Sequence, residues 1–281
     1  MKTIIKTTLS LILALCMVLP MTVLGAVPDY KDVPKDHWAY EYVMRLAEEG
    51  IMHGMVEGEY FNKKGEVRSK ELLAVLHRMT GEEAYEELVP IKNIEDVWYK
   101  DAILWAVNNS VAMFEFMYCS NDAPTSGLFS GFWGEGESYE VYLGLLDNPN
   151  AGPGNISFVI GDNGADTVVT RSDVLAAFYR YTTKILEREV SSTGDISDYA
   201  DSEKFPTTDG DRALYNKAYD MYGTGFVFID IYGKDALTQI WLWAIDAGII
   251  EGYPDGTLRP DATITRAEFA AMLTRFMDYV K

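Results

Sequence analysis

Two arginines stand one residue after a threonine and two before a carboxylate, in Thr265-Arg266-Ala267-Glu268 and Thr170-Arg171-Ser172-Asp173. A threonine that caps a helix accepts the N–H three residues on, and an acid at that third position reaches back, so each tetrapeptide reads as a helix start. Each arginine then falls at the first helical position, where the partial positive charge of the helix end disfavours a cation. Either its side chain bends away into water and only the cap matters, or the arginine and the free amides of the helix end act together on an anion. Other chemistry has less support. Glu135 with Glu137, and Glu140 with Asp147, have the residue types for acid–base cleavage of a glycoside, but 43 acidic residues supply such pairs by chance. There is no serine, cysteine or histidine constellation for a nucleophile. His37, His53 and His77 are scattered without a ligand pair at helical spacing, so neither a metal nor a cofactor is expected,.

The elements that position these residues recur. Residues 234–247 read as a helix, with Leu237, Ile240, Trp241, Ala244 and Ile245 at three- and four-residue steps and Gly248 as the stop,. Pro254 and Gly256 suit a tight turn, and a second helix follows Thr265 with the apolar run Phe269, Met272, Leu273, Phe276. Laid on itself, the chain places Ile264-Thr265-Arg266-Ala267-Glu268 over Val169-Thr170-Arg171-Ser172-Asp173 and over Val67-Arg68-Ser69-Lys70-Glu71,. Arg275, Arg180 and Arg78 then coincide, as do Trp243 and Trp105 in the first helices. Tyr30-Lys31-Asp32-Val33 and Ile94-Glu95-Asp96-Val97 match as openings, followed by Trp38 and Trp98. Asp36 is a plausible cap for the first helix, which ends at Gly50, and Gly54 to Gly58 repeats the glycine spacing of Gly252 to Gly256.

An Asp-Val opening, a tryptophan at the first helix, Gly-Tyr-Pro-Asp-Gly-Thr and Thr-Arg-Ala-Glu, in that order, resemble a surface-layer homology (SLH) repeat. The match is close over residues 234–280, good at both ends of the second copy and weaker in the first. The resemblance implies a mainly α fold: three helix-turn-helix repeats around a pseudo-threefold central three-helix bundle, with ligand held in grooves between repeats. It also implies binding to secondary cell-wall polysaccharide whose terminal sugar often bears a pyruvate ketal. Carried over position by position, the binding residues are Arg266 and Arg171 with Thr265, Thr170, Glu268 and Asp173, the opening acids Asp32 and Asp96, and the aromatics Trp38 and Trp98. Each tryptophan either stacks on a sugar face or belongs to the core. The first repeat departs from the pattern. Ser69 takes the arginine position and Arg68 the threonine position, which shifts the expected cap by one residue, takes Glu71 out of register and makes Arg68 the weakest of the sites. In the third repeat Ile196-Ser197-Asp198 resembles the opening, but no site is carried onto Asp198.

Lys2 and Lys6 precede an apolar run from Leu9 to Leu24, the layout of a secretory signal peptide, with cleavage after Gly25 or Ala26. The chain is therefore expected at the cell surface. With 24 basic and 43 acidic residues its net charge is −19, and loss of the leader removes two lysines and no acid. Such a surface repels nucleic acid and anionic membrane, and no membrane span is expected after the leader. Cys119 is the only cysteine beyond residue 26, so no internal disulfide is expected,.

The expected organisation is a signal peptide over 1–26, repeat one over 27–92, repeat two over 93–190 with an insertion at about 113–168, and repeat three over 191–281 with an insertion at about 201–232. The first insertion holds β-type runs at Ser138 to Leu146 and Ile156 to Ile160. The second holds an amphipathic segment, Arg212 to Tyr222. Both exceed ordinary loops, which favours a protein or glycan partner surface. Three functions follow: non-covalent attachment to the wall, a polysaccharide-acting enzyme whose cleft the insertions build, or a structural surface-layer subunit. The repeats favour the first, a binding protein rather than an enzyme.

Overall fold

Three short extended segments meet at an axis, and each runs into the start of a helix. The Val67 N–H donates to the Ile264 carbonyl (3.1 Å), Ile264 to Val169 (3.4 Å) and Val169 back to Val67 (2.9 Å), which closes a ring of three backbone bonds. All three side chains are buried, and β-branched residues suit the extended backbone that such pairing needs. A second ring lies two residues further on: Ser69 N–H to Thr167 O (2.9 Å), Arg171 to Ala262 (2.9 Å) and Arg266 to Gly65 (2.8 Å). A third repeats the pattern with Lys70 to Ala165, Ser172 to Pro260 and Ala267 to Lys63, at 3.1–3.2 Å. Nine bonds of matching register make the pseudo-threefold relation a property of the backbone.

The computed structural model describes residues 29–55, 58–82, 84–85, 94, 96–109, 111, 116–120, 123–128, 156–160, 165–205 and 236–281. Among these, the repeated helices are α1 (Tyr40–Glu48), α2 (Ser69–Met79), α3 (Lys100–Asn108), α4 (Arg171–Arg180), α5 (Ala236–Asp246) and α6 (Arg266–Val280). The first helix of each repeat packs chiefly on the second helix of another: α3 on α2, α5 on α4, and α1 on α6. Arg45 closes the last seam with a two-pronged pair to Asp278 (2.9 and 2.7 Å). The α2, α4 and α6 faces are apolar, with Leu72, Leu76, Phe178, Phe269 and Phe276 fully buried. Each such side chain contributes roughly 1.5–3 kcal/mol. Phe178 and Phe276 stack in parallel at 4.2 Å. Beyond Arg180 the helix widens into a π-turn over Tyr181–Ile185, where the Thr182 and Thr183 hydroxyls donate to the carbonyls four residues back (2.9 and 3.0 Å),.

Strands β1 (Phe116–Ser120), β2 (Ala123–Leu128) and β3 (Ile156–Ile160) form an antiparallel sheet in the order β2-β1-β3. The run expected at Ile156 to Ile160 is thus a strand. The leader, the run Ser138 to Leu146 and the segment Arg212 to Tyr222 lie outside the described residues. Asp36 does not cap α1, which starts after Ala39; instead the Ala39 N–H donates to His37 Nδ1 (3.1 Å). The roots of both insertions belong to the packed body. Residues 165–168 supply ring acceptors, and Phe205 is buried against Trp241, with ring centroids 5.4 Å apart. Among the described residues no helix is long and apolar enough to cross a membrane.

Candidate functional site

Arg266 neither bends into water nor faces an open anion site. It is 4% exposed, with its guanidinium inside the turn of the first repeat. Nε donates to the Phe61 carbonyl (2.9 Å), Nη2 to the His53 carbonyl (2.8 Å) and Nη1 to Glu71 on α2 (2.9 Å). Burial pulls its pKa down, and the charge of Glu71 opposes this. The amides beside it are equally committed. Thr265 N–H reaches Glu268 (2.9 Å), Arg266 and Ala267 reach the rings, and Glu268 N–H reaches the Thr265 hydroxyl (3.3 Å). No first-turn amide is left for an anion, and the macrodipole penalty on the arginine is met by Glu71.

Arg171 repeats the arrangement in the turn of the third repeat. It is 6% exposed; its Nε donates to the Leu258 carbonyl (3.0 Å) and its guanidinium lies 4.9 Å from the Tyr253 ring and 5.7 Å from the Trp241 ring. The Tyr253 hydroxyl donates to Glu268 (3.3 Å), and Arg259 also covers that ring at 3.9 Å. Thr170 and Asp173 form the expected capping box.

The third position is different. Arg68 is the N-cap of α2, in the register that threonine holds elsewhere, and Glu71 accepts from its N–H (3.0 Å). The cap is therefore not shifted, because the ring bond at Val67 fixes the register and the side chain only decides how well the cap is satisfied. The Arg68 guanidinium donates to the Asp166 carbonyl. Ser69 replaces the arginine, so no side chain of its type reaches across to Asp173.

Asp32 holds the first turn by accepting from the N–H groups of Phe61 (2.8 Å) and Lys63 (2.9 Å). Its counterpart is Asp201, which accepts from Leu258 (2.7 Å) and Arg259 (2.8 Å). Both spare a turn with a left-handed residue, Asn62 (φ 59°) or Arg259 (φ 55°). Asp201 was overlooked because the sequence offered Asp198 three residues earlier. The equivalence of Tyr30 and Tyr199 would have revealed it: each ring lies against the turn glycine, Gly54 or Gly252, where a Cβ would come within 2.4 and 3.3 Å respectively. Asp96 is exposed, and the turn it would serve lies outside the described residues.

The expected site thus divides. Arg266, Arg171, Thr265, Thr170, Glu268, Asp173 and Asp32 stand behind the surface and shape it, whereas Trp38 and Trp98 are 59% and 64% exposed and do not belong to the core. Trp98 borders a groove of about 290 Å³ between α2 and α3, lined also by His77, Arg78, Glu82, Tyr85 and Asp101. Ala74 and Ala102 form part of its wall. At the equivalent seams the place of Ala102 is taken by Tyr42, beneath Arg275 at 5.8 Å, or by buried Ile240. Ala102 is the small residue of the three and leaves room for the groove at this seam. Arg78 holds the Ile51 carbonyl through Nη1 (3.2 Å); its recurrence with Arg180 and Arg275 was visible in the sequence, but its place in a groove was not.

The S-layer homology domain family model matches residues 29–60 and 242–270. The first segment covers the opening, α1 and the first turn. The second covers the C-terminal part of α5, the third turn and the start of α6. The chain is 51% identical over 54 residues to cell surface glycoprotein 1 of Acetivibrio thermocellus, which is 18% of this chain and 2% of that protein. It is 58% identical over 31 residues to outer membrane protein alpha of Thermotoga maritima, 11% of this chain and 8% of that protein. The matched stretches span less than a tenth of either relative.

Proposed function

We propose that this chain, which carries S-layer homology domain sequence in two segments, is a cell-surface protein held non-covalently by secondary cell-wall polysaccharide. The observation that carries the reading is the α2/α3 groove, where an exposed indole borders a cavity with donors and acceptors of both signs. A sugar presents an apolar face and a rim of hydroxyls. Trp98 and Tyr85 offer the flat surface, and Glu82, Asp101 and His77 offer partners for hydroxyls. Arg78 is the cation of this groove, and among the described residues only its Nη1 is engaged. It is positioned to take a carboxylate such as that of a pyruvate ketal. A groove of this size suits one or two sugar units at the end of a polymer. Arg266 and Arg171 support binding indirectly, by fixing the turns that define the repeat body.

The chain acts as a binding module rather than an enzyme, and its insertions present a second surface. Their roots lie together: Phe205 packs on Trp241, whose Nε1 donates to Ser172 at the start of α4 (3.1 Å), just after residues 165–170. Glu135, Glu137, Glu140 and Asp147 lie outside the described residues.

Co-sedimentation tests the reading. The protein should pellet with isolated walls, stay soluble once acid has extracted their polysaccharide, and be released by denaturant. Pelleting that survives extraction would refute it.

A further inference from the structure

The threefold body has a charge pattern that is complete at two positions and broken at the third. At the first, the arginine opening α6 crosses to the acid in the first turn of α2, Arg266 to Glu71 at 2.9 Å. At the second, Arg171 opening α4 feels the acid of α6, Glu268, which also accepts from Tyr253. At the third, Ser69 opens α2 and the facing acid is Asp173 of α4. Asp173 accepts from the Thr170 N–H (2.7 Å) and hydroxyl (2.8 Å), and no described cation pairs with it. The nearby charges do not help. Asp261, on the segment leading into α6, opposes its ionisation; Lys70 at the start of α2 is held by Asp166, and Arg171 is held by Leu258 and Tyr253.

We propose that Asp173 is a proton-operated joint in the repeat ring, tight when its carboxyl is neutral and loosened when it ionises without a counter-ion. The segment it controls is Ala165 to Thr170, which caps α4, supplies the carbonyls for the Ser69 and Lys70 amides, and is the C-terminal root of the first insertion. Burial pushes the Asp173 pKa up to about 6, against the smaller opposing effect of the Thr170 bonds. The sign follows directly. A carboxyl that holds its proton more tightly when packed than when released stabilises the packed state most below the ordinary carboxylate pKa of about 4. That stabilisation is lost as pH rises through about 6,. The joint is independent of whether the chain binds wall polymer.

Two measurements on the full chain test it. In wild-type protein the Asp173 carboxyl, followed by nuclear magnetic resonance, should titrate near pH 6; a midpoint below about 4.5 would overturn the proposal without any variant. Hydrogen exchange gives the second arm. Protection at the Ser69 and Lys70 amides should fall about tenfold between pH 5 and pH 8, after correction for intrinsic rates. Arg266 and Ala267, which make the equivalent bonds to Gly65 and Lys63, serve as internal controls and should hold constant. Asp173→Asn keeps both acceptor roles and should abolish the difference, and Ser69→Arg should reduce it by supplying the missing guanidinium. Equal pH dependence at both pairs of amides, or a dependence that survives Asp173→Asn, would refute the joint.

Discussion

Arg266 and Glu71 are 195 residues apart in sequence and 2.9 Å apart in space, and this ion pair ties α6 to α2. Its arginine is buried and also fills two carbonyls of the first turn, so it joins two repeats rather than decorating one. Removing one partner of a buried pair leaves the other charge and the carbonyls unsatisfied, which costs about 3–5 kcal/mol. Arg266→Ala should lower the midpoint of chemical denaturation accordingly. Arg266→Lys should recover little, because an ammonium cannot reach three acceptors held in a planar fork. A melting curve unchanged by Arg266→Ala would show that the side chain is free at the surface.

Asp32 and Asp201 each accept two backbone bonds in equivalent turns, so alanine at either should cost about 1.5–3 kcal/mol. Asp198 is exposed and outside the turn, and its alanine variant should stay within about 0.5 kcal/mol of wild type. Urea titration of the three proteins checks the order. A large loss at Asp198 with none at Asp201 would put the opening of the third repeat back where the sequence suggested it.

What could be read from the sequence was local and periodic. Capping boxes, glycine stops and the recurrence of Trp105 and Trp243 specify helices through neighbours three and four residues apart, and those elements stand where expected. The threefold pattern of backbone bonds accompanies the recurrence of these local signals. The role of Arg266 was not legible, since its partners Phe61, His53 and Glu71 come from another repeat, and first-position chemistry alone suggested an outward-facing anion site. Each of the two arginines fills the turn of another repeat, Arg266 through the Phe61 and His53 carbonyls and Arg171 through the Leu258 carbonyl, and Ser69 stands at the equivalent position of α2. The groove was hidden for a related reason, because its walls, α2 and α3, come from different repeats.

Arg45 should matter less than Arg266, although it too closes the ring. Its bonds to Asp278 are two-pronged, but the pair is partly exposed and shared with Glu49. Exposed pairs contribute about 0–1 kcal/mol. Arg45→Ala should therefore shift the denaturation midpoint slightly, and raising the salt concentration should erase much of the difference. A loss as large as that of Arg266→Ala would mean that the α1–α6 seam is the weak point of the ring.

The two exposed tryptophans separate wall binding from folding. Trp98 borders the open groove and meets the Tyr99 ring edge-on at 5.4 Å. Trp38 holds the equivalent place at a seam where Tyr42 stands in for Ala102. Trp98→Ala removes a stacking surface without opening the core, so binding to purified wall polysaccharide should weaken on the order of tenfold with little change in thermal melting. Trp38→Ala should weaken it less. Arg78→Ala distinguishes the ligand chemistry, since it should reduce binding to pyruvylated polymer more than to the same polymer after the ketal is removed. Calorimetric titration of the three variants against both polymers decides the matter. Equal losses at Trp38 and Trp98 would spread recognition over the seams, and an unchanged affinity for Trp98→Ala would remove the α2/α3 groove from the binding site.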